Sequence, residues 1–136
     1  GEIIDYINAQ WHARQEAVLA RNPESTRRLL VEISMEYIEF LLENPQFRSI
    51  IMFKNEEALS RKSDAIRGGV SALTEHYIMQ YCREVGMPDP DRVRKTFSVR
   101  SLIYGAALML DNGELPRTDE NMEMVAEAIN REFDLP

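Results

Sequence analysis

The sequence predicts an all-α fold, a six-helix bundle formed by a single domain over residues 1–136. Three observations lead there. Apolar side chains recur with helical spacing along the whole chain, and no strand-like alternation of useful length interrupts them. Asn22-Pro23, Asn44-Pro45 and Asp89-Pro90 each offer an N-cap side chain followed by proline at the first helical position, and Thr118 is a further cap. Gly86 and Gly113 stand where helices should stop, with prolines shortly after them. These signals place helices at 2–20, 23–43, 45–53, 60–85, 90–111 and 118–133.

Each helix has a readable face at 100° per residue. In the first, Ile3, Ile4, Ile7, Trp11 and Val18 share a stripe. The second is apolar over most of its circumference, from Leu29 to Leu42, and leaves only Arg28, Glu32, Glu36, Glu39 and Glu43 as a wet strip. It is expected at the centre of the bundle. The third is short and follows the Asn44-Pro45 corner. In the fourth, Ile66, Val70, Leu73, Tyr77 and Tyr81 align. Gly68-Gly69 inside it marks either a kink or a close approach of another helix or a ligand.

The fifth helix has no proper water side. Val93, Phe97, Tyr104 and Leu108 lie on one face, and Val99, Ile103, Ala106 and Leu110 lie nearly opposite. Two apolar faces need two partners. The last helix adds a stripe of Met122, Val125, Ala126, Ile129 and Phe133. Two such helices from each of two copies form a four-helix interface. The expected homodimer seam is therefore Val99, Ile103, Ala106, Leu110, Met122, Val125, Ala126 and Ile129. The plainer alternative is that the fifth helix is central within one copy.

Composition narrows the function. Acidic residues outnumber basic ones 23 to 16, giving a net charge of −7, which repels nucleic acid and anionic membrane unless a local basic patch overrides it. No apolar run approaches the roughly 20 residues needed to cross a bilayer, so no membrane partner is expected. The single cysteine, Cys82, allows neither an intrachain disulfide nor a cysteine zinc cage, and a reducing cytoplasm is the natural home. The glutamate row of the second helix lacks the Glu-x-x-His pattern of a di-iron bundle. No zinc-protease, phosphate-loop or nucleophile-elbow motif is present. The sequence thus predicts no enzyme, no metal and no cofactor. Arg92, Arg94, Lys95 and Arg100 form the densest basic cluster, but it lacks interleaved aromatics for base stacking and reads as exposed helix surface or rim ion pairs.

The aromatic residues and the seven methionines build a core, and they could also line an adaptable apolar cavity. The candidate ligand-binding residues are Trp11, Tyr37, Phe53, His76, Tyr77 and Tyr104. The imidazole of His76 and the tyrosine hydroxyls would orient a polar end of the ligand.

Four segments carry a family resemblance. "LLENPQFRSII" resembles a helix–Asn-Pro–short-helix corner, "RSLIYGAALML" a first dimerisation helix, "DENMEMVAEAINREF" a last helix, and "GEIIDYINAQW" a long connecting helix. Together they resemble the C-terminal regulatory domain of the tetracycline-repressor (TetR) family of bacterial transcription regulators, over nearly the whole chain. The family's N-terminal helix-turn-helix has no counterpart here, and Gly1 points to a trimmed fragment. The resemblance implies a dimeric sensor. A small lipophilic effector would enter a cavity among the first, second, fourth and fifth helices and tilt residues 2–20, changing the spacing of two DNA-reading heads. DNA would be a partner only through those heads. The competing expectation is a helical protein–protein interaction module without a small-molecule ligand.

Overall fold

The computed structural model describes residues 2–52 and 74–136, apart from the side chains of residues 3, 4 and 49–52. The chain is all-helical, with no strand among the described residues. Its elements are α1 (Glu2–Ala20), α2 (Thr26–Glu43), α3 (Pro45–Met52), α4 (described over 74–85), α5 (Asp89–Asp111) and α6 (Asp119–Glu132). The predicted Gly68-Gly69 feature, and Ile66, Val70 and Leu73 of the fourth-helix stripe, lie outside the described residues.

Local chemistry explains the helix ends. Ser25 caps α2 by accepting a hydrogen bond from the Arg28 amide at 3.0 Å. Thr118 does the same for α6, from the Asn121 amide at 3.1 Å. Asn22, expected to cap the second helix, instead closes the first. Its φ of 51° is left-handed, and its amide bonds to the Leu19 carbonyl. Asparagine suits both roles, because its short polar side chain tolerates the left-handed region. Asn44 sits before α3 as expected, but its side chain donates back to the Phe40 carbonyl at 2.9 Å and so secures the end of α2. At α5 the cap is Pro88 rather than Asp89, one residue earlier than predicted, and no side chain caps it. Gly86 takes a φ of 71° after α4, and the Met87 amide returns to the Cys82 carbonyl at 2.9 Å. That bond folds the apolar Met87 side chain back under the helix.

The second helix is central, as its sequence predicts: α2 packs against α1, α3, α5 and α6. Leu30, Ile33, Ile38, Phe40 and Leu41 are buried along it, and each contributes about 1.5–3 kcal/mol through removal from water. Trp11 of α1 lies across it, with ring centroids 5.0 Å from Tyr37 and 5.5 Å from Phe40. The glutamate row proves less wet than expected. Arg14 reaches Glu36 at 3.0 Å and also pairs with Glu43, while Arg117, from the connection between α5 and α6, pairs with Glu39. Ion pairs at this exposure are worth about 0–1 kcal/mol each, so they set the register between elements more than the stability.

The C-terminal end is tied down by Arg27 of α2. Its guanidinium donates to the Asn130 side chain at 2.9 Å, to the Asn130 carbonyl at 2.6 Å and to Asp134 at 2.5 Å. Beside it, the Tyr81 hydroxyl donates to the Phe133 carbonyl at 2.5 Å. One arginine and one tyrosine thereby fasten α6 to α2 and α4.

The two faces of α5 are assigned the other way round from the sequence expectation. Val99, Ile103, Ala106 and Leu110 are buried in the chain's own core, as are Val125 and Ile129 of α6, while Met122 and Ala126 pack against that core. Within one copy all of these side chains are buried or half-buried. The open face carries Val93, Leu108 and Phe97, the last 72% exposed. Periodicity detects two apolar faces but does not rank them. The face with small and branched residues lets α5 settle closely on α2, and the face with the large ring is left outside.

Candidate functional site

A cavity of about 250 Å³ opens between α1, α2, α4 and α5. Its apolar wall is formed by Trp11, Leu30, Ile33, Ile78, Val99 and Ile103, with Met87 and Phe133 closing one end. Each helix contributes through its inward register. On α4, Thr74, Glu75, Ile78, Tyr81 and Cys82 face the space, at spacings of three or four residues that keep one side of a helix turned to it. On α5, the wall residues are Arg92, Lys95, Thr96, Val99, Arg100, Ile103 and Tyr104.

Of the candidate ligand residues, Trp11, Tyr37 and Tyr104 line this cavity. Tyr37 stands between the other two, with ring centroids 5.0 Å from Trp11 and 6.5 Å from Tyr104. His76 and Tyr77 do not line it. His76 is on the far side of α4 and exposed, and Tyr77, set against it edge to face at 5.1 Å, packs on the core instead. Phe53 lies outside the described residues.

Three residues of the basic cluster belong to the wall and were not anticipated there. Arg92, Lys95 and Arg100 border the cavity, whereas Arg94 turns outward and pairs with Asp91 at 2.6 Å. The available signal was their register, since residues 92, 95, 96, 99, 100 and 103 fall on one side of the helix. The cluster reads as a surface feature until that side is known to face an opening.

The remaining polar groups are largely occupied. Ser34 donates to the Leu30 carbonyl at 2.8 Å, and Thr96 to the Arg92 carbonyl at 2.8 Å. The Tyr104 hydroxyl accepts from Arg100 at 3.4 Å, and that hydrogen bond, ahead of an opposing burial effect, raises the Arg100 pKa further. Burial pushes the Cys82 thiol up, partly offset by the Arg92 charge. Burial also raises Tyr81, opposed by Arg27. A buried thiol kept protonated is a poor nucleophile. Among the described residues, no group of three or more His, Cys, Asp and Glu is placed to hold a metal.

The raised Cys82 and Tyr81 fix the sign of an alkaline effect. Both groups hold their protons more tightly folded than unfolded. The stability is therefore fully present below pH 9.0, the ordinary thiol value, and is lost as the pH climbs through the folded-state values of the two groups. Urea midpoints are expected to be level up to pH 9.0 and to fall as pH passes 10.0, with a shallower fall in Cys82→Ala. A midpoint that stays constant across that range contradicts the assignment.

No helix among the described residues is long and apolar enough to cross a membrane. Comparison with protein-family models, with curated proteins and with solved structures gave no match to this chain.

Proposed function

We propose that this chain is the effector-sensing and dimerisation domain of a bacterial TetR-family transcription regulator, with the cavity as its sensor site. The observation that carries the reading is a mostly apolar cavity walled in part by α1. Trp11 forms its wall, and one turn further on the buried Gln15 donates to Thr74 of α4 at 3.2 Å. A ligand wedged between α1 and α5 presses on Trp11 and works against that bond.

The leverage is adequate. From Trp11 to Glu2 the helix runs about 14 Å at 1.5 Å per residue. A tilt of about 10° then displaces its far end by about 2 Å, before any extension toward a DNA-reading head. Heads in a dimer must meet half-sites a helical turn apart, so such a shift weakens operator binding. Coupling of about 1–3 kcal/mol suffices for regulation.

The second copy is assigned to the open face of α5. Val93, Phe97 and Leu108 form an exposed apolar strip on it. Gly105 flanks the strip, and a Cβ there would meet nothing closer than the Met109 terminal methyl at 3.9 Å. Packing among the described residues thus gives no reason for a mid-helix glycine, which costs about 1 kcal/mol relative to alanine. A helix from another copy, approaching closely, supplies one.

Trp11 is the only tryptophan in the chain, so its fluorescence reports on the cavity directly. A lipophilic ligand at a 100-fold excess over its Kd is expected to shift Trp11 emission and add about 2.7 kcal/mol of stability. A broad library of lipophilic compounds that leaves both emission and unfolding unchanged sinks the sensor reading and leaves the protein-interaction module in its place.

A further inference from the structure

The polar side of the cavity is unusually one-sided in charge. Arg92, Lys95 and Arg100 border it from α5, and among the described lining residues Glu75 of α4 is the only carboxylate. This occurs in a chain whose net charge is −7. Arg92 gives its Nε to Asp89 at 3.4 Å, which leaves its terminal nitrogens uncommitted. Among the described residues, Lys95 and Arg100 have no carboxylate partner. Arg100 instead lies over the Tyr104 ring, 5.9 Å from its centroid.

The hydrogen-bonding inventory points the same way. Arginine and lysine only donate. The Ser34 and Thr96 hydroxyls already spend their protons on backbone carbonyls, and Tyr81 spends its proton on Phe133. Among the described lining residues the charged donors therefore lie together on α5, next to Val99 and Ile103. A ligand filling this space must bring acceptors to one end and apolar surface to the other. A cationic head would meet three like charges.

Size sets a further limit. A cavity of about 150 Å³ holds benzene, and drug-sized sites run to roughly 300–1,000 Å³. The 250 Å³ here suits a compact ligand larger than one ring. Resting on the sensor reading above, we infer that the effector is a small anionic amphiphile, with a carboxylate or phosphate head held by Lys95, Arg100 and the free fork of Arg92, and an apolar body against Trp11, Ile33 and Ile103. This also gives the basic cluster a role that the acidic surface elsewhere denies to nucleic acid.

The test uses one skeleton with three heads: 4-phenylbutyrate, 4-phenylbutanol and 4-phenylbutylammonium, each titrated against Trp11 emission and confirmed by thermal shift. The acid is expected to bind about 10-fold or more tightly than the alcohol, since bonds to charged groups outweigh neutral ones, and the ammonium least of all. 4-Phenylbutyl phosphate distinguishes the head groups, because a larger anion that binds more tightly than the acid identifies a phosphate site. In the Lys95→Gln, Arg100→Gln double variant the gap between acid and alcohol should shrink about 10-fold, whereas Arg94→Gln, on the outward side, should leave it intact. Equal binding of the three heads, or a preference for the ammonium, overturns the anionic assignment and leaves the cavity a sensor of another chemistry. Binding by none of them overturns this inference, and the library screen then decides the sensor reading separately.

Discussion

Phe40→Ala is expected to lower the unfolding free energy by about 3–5 kcal/mol and the Tm by roughly 10–20 °C. The ring has no solvent exposure and sits where three helices meet. Its centroid is 5.5 Å from Trp11 of α1 and 5.9 Å from Phe47 of α3. The Arg14 guanidinium lies over it at 5.4 Å, held there by Glu36 and Glu43. Truncation removes the transfer free energy of the ring and leaves a void that its neighbours fill only in part, since Trp11 stays packed against Tyr37 at 5.0 Å. Urea denaturation checks the value, with an unchanged slope showing that the unfolded state is the same. Phe97→Ala, at a ring 72% exposed, is the control and should stay within about 0.5 kcal/mol for the single chain. A loss below about 1 kcal/mol for Phe40→Ala shows that the site collapses freely and is not the centre of the core.

The same variant bears on function. Phe40 packs against Trp11, and Trp11 lines the cavity. Without the ring the indole keeps its Tyr37 contact but loses the one to Phe40, so it is held less firmly against a ligand and affinity should fall along with stability. Separating the two effects requires comparing ligand binding well below the lowered Tm.

Helix boundaries were legible because they depend on neighbouring residues. Thr118, Gly86 and Gly113 act within one turn of themselves, whereas Ser25, the cap that α2 uses, is hidden behind the Asn22-Pro23 signal. The misreadings have the same local origin: Asn22 can open a helix or close one, and the chain gives it the second role through a φ of 51°. The central place of α2 was legible too, since a helix apolar nearly all round has to be surrounded. Long-range facts were not. The glutamates of α2 look solvent-bound until Arg14 and Arg117, 22 and 78 residues away from the glutamates they reach, come into range. Likewise His76 and Tyr77 have suitable chemistry for a ligand site, but they lie on sides of α4 that do not line this cavity. Trp11, Tyr37 and Tyr104 were within reach because a large aromatic near a helix crossing lines either a core or a cavity. Only the fold tells which.

The cations of α5 show the limit most plainly. Arg92, Lys95 and Arg100 were visible as a cluster, and their register was available. What the sequence lacks is the direction in which that register points. A basic patch on an acidic protein invites the question of nucleic acid first. The structure turns the question to the cavity, because three of the four cations border it.

The paired variants Phe97→Glu and Ala106→Glu should separate the two faces of α5 with opposite outcomes. Ala106 is 5% exposed and packs inside the chain. A carboxylate there is buried without a partner, and the chain should lose about 3–5 kcal/mol, enough to unfold it or nearly so. Phe97 is 72% exposed, so a glutamate there should leave the folding of a single copy almost unchanged. Its effect belongs to association. If Phe97 is the aromatic anchor of the contact between copies, its replacement by a charge raises the dimer Kd about 100-fold, the weight of a hot-spot residue near 2–3 kcal/mol. Sedimentation over a concentration series, read beside urea curves, distinguishes the cases. A folded, monomeric Phe97→Glu and an unfolded Ala106→Glu place the seam on Val93, Phe97 and Leu108. A dimeric Phe97→Glu beside a folded, monomeric Ala106→Glu restores the face first expected from the sequence, and a parent chain that is monomeric at high concentration removes the pairing altogether.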